Sequence, residues 1–193
     1  MLPDVGPVYS VSIIPTGIGA AGYTMPLPEK DEMFLTKGRM LQDIMVLLGG
    51  RIAEEIVFDT VTTGAANDIE KATKIARAMI TQYGMSKKFG LMGLESVESK
   101  YLDGRAVLNC SDNTAADIDN EVMKLLKDSY KEAKRLLKDN RKLMDTLAEF
   151  LIEKETITGK EFMEIFRREK GIPEPEESKA EEVTSTEETK EID

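Results

Sequence analysis

Between residues 37 and 57 the apolar positions Leu41, Ile44, Leu48, Ile52 and Ile56 recur at intervals of three and four. That spacing winds one apolar stripe along one face of a helix. The same rhythm returns over 66–83, at Ile69, Ala72, Ala76, Met79, Ile80 and Tyr83. It returns again over 114–138, at Ile118, Val122, Leu125, Tyr130, Ala133 and Leu137. Stripes of this kind must be covered by one another, so they predict core-forming helices and a mainly α fold. Thr36 is placed to cap the first helix, and Gly84 to stop the second. Asn140 can cap a shorter helix carrying Leu143, Leu147, Ala148 and Leu151. Thr158-Gly159-Lys160-Glu161 reads as a capping box ahead of Phe162, Ile165 and Phe166.

The chain begins differently. Residues 8–14 are rich in β-branched side chains and stop at Pro15. Thr16-Gly17-Ile18-Gly19 reads as a flexible turn, and residues 20–25 can return as a second strand before Pro26 and Pro28. The pattern predicts a small N-terminal β-hairpin element. It does not decide between an edge strand beside a pocket and a hairpin that only covers the core. Gly49-Gly50 interrupts the first helix, at about 1 kcal/mol each relative to alanine. Close approach by another backbone and a kink both account for the pair. Residues 87–109 are glycine-punctuated and weakly periodic, which predicts a long irregular loop.

Composition narrows the function classes. A chain of 193 residues can bury one real core. The net charge is −10, but from Pro173 onward there are nine acids against two lysines, which leaves a body near neutrality. No basic face argues for nucleic acid. The predicted organisation is a domain over 1–170 and a disordered acidic tail over 171–193. Cys110 stands alone and implies a reducing compartment. No apolar run reaches the length needed to span a bilayer, and the N-terminus does not read as a signal peptide.

One constellation carries chemistry. Thr62-Thr63-Gly64-Ala65-Ala66-Asn67-Asp68 is a loop of small residues opening a helix. Asp68 falls in the first turn, where the helix dipole favours a carboxylate. Helix stabilisation alone accounts for it in isolation. The chain contains no histidine, so it cannot supply the imidazoles on which zinc hydrolases normally rely.

Several motifs in order nevertheless resemble the peptidase domain of the FtsH family of membrane-anchored, ATP-dependent zinc proteases. They are Val11-Ser12-Ile13-Ile14-Pro15, Gly22-Tyr23-Thr24 with Leu27-Pro28-Glu29, and Leu47-Leu48-Gly49-Gly50-Arg51 with Ala53-Glu54-Glu55-Ile56. Thr62-Thr63-Gly64-Ala65 with Asn67-Asp68 follows, then Ala72-Thr73, Ile75-Ala76-Arg77 and Tyr83-Gly84-Met85-Ser86. Ile118-Asp119, Glu121-Val122, Leu151 and Glu153-Lys154-Glu155-Thr156 complete the set, so that the likeness covers roughly residues 1–166. Two positions depart from the family: Thr16 stands where arginine is common, and Asp59 where glycine is usual.

The resemblance implies that Asp68 is the third zinc ligand of a complete parent protein. The other two are histidines of an H-E-x-x-H helix, whose glutamate activates the metal-bound water. Leu2-Pro3-Asp4 leading into Pro7-Val8 resembles the sequence just after that helix, so the expectation is a chain that starts beyond it. A catalytic residue is therefore not expected here, nor a cofactor bound to this chain alone. Zinc belongs to the parent, and ATP with Mg to its separate ATPase domain. Either Glu54 or Glu55 is a candidate for orienting a zinc-bound imidazole, against a solvent-facing charge pair. Val11, Ser12, Ile13 and Ile14 are candidates for an edge strand to which substrate adds. The implied parent cleaves membrane and cytosolic proteins on the cytoplasmic side of the membrane, as a homo-oligomer, hexameric in the family. The alternative is a catalytically inactive helical oligomerisation or binding module.

Overall fold

The apolar stripe starting at Leu41 becomes α1 (Lys37–Phe58), and the Thr36 side chain accepts a hydrogen bond from the Arg39 N–H at 3.1 Å. The computed structural model describes residues 2–15, 22–26, 34–98 and 105–173. Thr16, the Leu27-Pro28-Glu29 motif and the acidic tail beyond Pro173 lie outside the described residues. The chain divides into two compact units, one of residues 1–5 and 30–140, the other of residues 6–29 and 141–193.

The first unit holds α1, a 3-10 turn (Thr63–Ala65), α2 (Ala66–Thr81), β3 (Glu95–Glu98), β4 (Arg105–Leu108) and α3 (Asp112–Asp139). The strands β1 (Val8–Ser12) and β2 (Tyr23–Pro26) belong to the second unit. Met40, Ile44, Leu48 and Ile52 of α1 meet Ala72, Ala76, Met79 and Ile80 of α2 and Ile118, Val122 and Ala133 of α3 in one buried cluster. Each large side chain fully buried there contributes roughly 1.5–3 kcal/mol. Two expected stripe members fall outside it: Ile69 and Tyr83 are exposed. Tyr83 lies beyond the last residue of α2, which ends at Thr81. Gly49 and Gly50 have nothing within 4 Å of where a Cβ would stand, so no described backbone approaches them.

The predicted loop over 87–109 is corrected by the structure. It contains a hairpin, β3 paired antiparallel with β4, with Glu95 opposite Leu108. Four-residue strands carry too little alternation to stand out, and this hairpin is anchored by tertiary contacts instead. The Leu94 N–H donates to the Thr81 carbonyl at 2.9 Å, and the buried Thr81 hydroxyl lies 2.7 Å from a Glu95 carboxylate oxygen. Asn140 closes α3, its backbone N–H and side-chain amide both donating to carbonyls of that helix's last turn, and the next helix begins at the following residue, Arg141, as expected. Ser111 caps the start of α3.

The second unit joins β1 (Val8–Ser12) and β2 (Tyr23–Pro26) to α4 (Arg141–Lys154), β5 (Thr156–Thr158) and α5 (Gly159–Lys170). The hairpin element is present, but β1 is not an edge strand. The sheet order is β2-β1-β5, so Val11 pairs with Thr24 on one side and Ile157 on the other. Ser12 pairs with Tyr23 and Thr156. Its hydroxyl is buried, 2.7 Å from that of Thr156, and accepts from the Ile14 N–H at 3.2 Å. The Ile13 N–H donates to the Glu155 carbonyl. Val11 and Ser12 are therefore paired on both sides, and the Ile13 and Ile14 N–H groups are bonded within the fold. The capping box forms as expected, with Thr158 and Glu161 exchanging hydrogen bonds. Gly159 is required there, because a Cβ would stand 2.0 Å from the Val8 carbonyl oxygen.

Asp59 terminates α1 with φ 50° and ψ 34°, a left-handed conformation that glycine adopts freely and a Cβ disfavours. Its carboxylate also meets the negative end of the helix dipole. Asp59→Gly is expected to stabilise the protein by up to about 1 kcal/mol. Calorimetry should show a rise in Tm of about 2–4 °C. A lower Tm would contradict this account of the position.

Candidate functional site

The site is built where α1 ends and α2 begins. After Asp59 the chain turns back through Thr62 into the 3-10 turn, and Ala65 is buried as its anchor. Thr62 is held at every polar atom. Its hydroxyl donates to Glu54 Oε1 at 2.5 Å and accepts from the Gly64 N–H at 3.2 Å. Its N–H donates to Glu54 Oε2 at 3.2 Å, and its carbonyl accepts from Arg51 Nη2 at 2.7 Å. Arg51 and Glu54 lie 3.9 Å apart as an ion pair. One turn of α1 thus fixes the loop that leads to Asp68.

These bonds act on Glu54 in turn. The Thr62 hydroxyl and N–H, with Arg51 nearby, hold its carboxyl below the ordinary glutamate value of 4.5. Glu55 points elsewhere, since adjacent helical residues do not share a face. It accepts from the Tyr130 hydroxyl and from Lys134 Nζ, tying α1 to α3. The two glutamates therefore do different work: Glu54 holds a loop, and Glu55 joins two helices. Neither is a bare solvent-facing charge.

Asp68 stands in the first turn of α2, whose N-cap residue Ala65 gives no side-chain hydrogen bond. Uncapped N–H groups and the helix dipole favour negative charge there. Asp68 is half-buried. Among the described residues, no hydrogen bond or ion pair engages its carboxylate. Of the three acidic candidates, Glu54 and Glu55 have spent their oxygens and Asp68 has not. A tetrahedral zinc site of hydrolytic type needs about three protein ligands. The chain has no histidine, and the described residues contain no group of three or more His, Cys, Asp or Glu side chains that could hold a metal. The residues present therefore do not fit a zinc ion by themselves. What they offer is one unengaged carboxylate on a helix whose entry loop is braced by Glu54 and Arg51.

Comparison with known proteins decides the family. The model of peptidase family M41 matches residues 1–165. The chain belongs to peptidase family M41. The ATP-dependent zinc metalloprotease FtsH of Clostridium perfringens is 50% identical over 165 residues, which are 86% of this chain and 23% of that protein. FtsH of Lancefieldella parvula is 46% identical over 163 residues, 84% of this chain and 25% of the relative. FtsH 1 of a Thermoanaerobacter species is 44% identical over 172 residues, 88% and 28% of the two lengths. The chain thus spans about a quarter of the length of these M41 relatives. No helix among the described residues is long and apolar enough to cross a membrane.

The hold on Thr62 carries a pH signature. Because the Glu54 carboxyl is depressed in the folded protein, its contribution is fully present above the unfolded value of 4.5 and is lost as pH falls through the lower folded value. The Thr62 and Gly64 amide resonances should titrate with a midpoint below 4.5, and Glu54→Gln should abolish that titration. A midpoint at or above 4.5 would contradict the arrangement.

Proposed function

We propose that this chain is the C-terminal part of an ATP-dependent zinc metalloendopeptidase that degrades membrane and cytosolic proteins, and that Asp68 is its contribution to the metal. The observation that carries this reading is the unengaged carboxylate of Asp68, in an M41 chain whose two other acidic candidates are already bound. Two histidines and the catalytic glutamate would come from a part of the parent that this sequence does not contain. The work of these residues is positional. Arg51 and Glu54 hold Thr62, Thr62 sets the 3-10 turn, and the turn sets where α2 starts. A loosened loop would displace the ligand, and displacement of about 1 Å at a reacting centre can cost two orders of magnitude in rate.

The parent is read as a homo-oligomer, hexameric by family resemblance, working at the cytoplasmic side of the membrane, with ATP and Mg in a separate domain. Its partners are protein substrates. Strand addition reads backbone more than side chain, which suits a protease of broad specificity. Among the described residues it would use the outer edge of β2 rather than Val11 or Ser12, since both sides of β1 are occupied there.

Two outcomes test this. The pure, tag-free chain should show no zinc-dependent cleavage of casein, because one carboxylate binds zinc weakly; cleavage would refute the reading. In the complete parent, Asp68→Asn should lower zinc content and proteolysis together while ATP hydrolysis largely persists. Full zinc content with full proteolysis would remove Asp68 from the site.

A further inference from the structure

In the second unit a cleft of about 520 Å³ opens beside α4 and α5, lined by Phe150 and Lys154 of the first helix and by Ile165, Arg167 and Arg168 of the second. Ile172, just past the end of α5, also lines it and is 47% exposed.

The charges around the cleft are not equally spent. Lys154 pairs with Glu161 at 2.9 Å and lies over the Phe150 ring. Lys142 takes Glu169 at 2.8 Å, and Arg141 takes Asp145. The guanidinium groups of Arg167 and Arg168 have no hydrogen-bond or ion-pair partner among the described residues, and Glu164 is the lining acid left beside them. Basic residues in a last turn are favoured by the helix dipole whatever they touch, so their charge alone marks no site. What distinguishes this pair is the chain that follows it.

The sequence after Pro173 carries nine acids against two lysines. Ile172 already lines the cleft, so Glu174, Glu176 and Glu177 stand within a few residues of it along the chain. The M41 match ends at residue 165, so the family does not account for this stretch. An arginine presents a planar fork of donors that a carboxylate meets with two oxygens. A segment tethered this closely acts at an effective concentration of about millimolar, at which individually weak pairs suffice.

We propose that the acidic segment over 174–182 is the occupant of this cleft, with its carboxylates on Arg167 and Arg168. The cleft is then a receptor for a carboxylate-rich peptide, filled by the chain's own C-terminal segment, and any other acidic peptide must displace it. The proposal does not depend on the zinc role of Asp68.

The test follows the Phe150 ring resonances in the full chain. Raising salt from low concentration to about 1 M should move them, because exposed ion pairs are screened. At low salt the variant E174K/E176K/E177K/E181K/E182K should move them in the same direction, and so should R167E/R168E. Combining the two sets should return them toward wild type, because the reversed charges attract again. The five-lysine variant alters no described bond, so it tests the proposal without disturbing α5. Resonances indifferent to salt, unmoved in that variant, or not restored in a folded combination would each overturn the proposal. Shifts that vanish on dilution would place the segment on a second copy and overturn it as well.

Discussion

Thr62 is the point on which the site depends. A loop residue normally leaves its N–H, carbonyl and hydroxyl to water, and such loops wander. Here α1 takes all three, through Glu54 and Arg51, and the hydroxyl also serves the Gly64 N–H. A charge-assisted hydrogen bond is stronger than a neutral one, and the carboxylate of Glu54 makes two of them to a single residue. The consequence is geometric. The start of α2 is referenced to the rigid body of α1, whose Met40, Ile44, Leu48 and Ile52 are buried in the core. Asp68 inherits that rigidity without spending its own oxygens.

That division of labour separates three carboxylates that look alike on paper. Glu54 and Glu55 are neighbours in sequence but serve different partners, because consecutive helix positions face different ways. Glu55 bridges to Tyr130 and Lys134 on α3 and so keeps two core helices in register. Glu54 braces the loop. Asp68 has neither task. Its carboxylate is left unengaged at a helix N-terminus, where the helix dipole favours negative charge.

The helices were legible because each stripe is local: Leu41 to Ile56 or Ile118 to Leu137 can be read within a single window. The capping box at Thr158 and Glu161 was legible for the same reason. What escaped was set by distant partners. Residues 11–14 read as a strand, but its place at the centre of the sheet comes from Thr156–Thr158, which no nearby residue announces. The β3–β4 hairpin is held by Thr81 and Glu95 rather than by alternation. Asp59 was visible only as a departure from glycine, and its φ of 50° gives the physical reason for the usual glycine. For the site, the Asp68 segment was readable through its likeness to a family, whereas the distinct tasks of Glu54 and Glu55 required the geometry.

The central claim is that the carboxylate of Asp68 bonds directly to the metal of the complete protease. Substituting cysteine for Asp68 in the parent would label that bond. Zinc K-edge X-ray absorption should then report a sulfur scatterer at about 2.3 Å, alongside the lighter ligands at about 2.0–2.1 Å. A zinc-loaded Asp68→Cys protein whose spectrum contains no sulfur shell would contradict the claim.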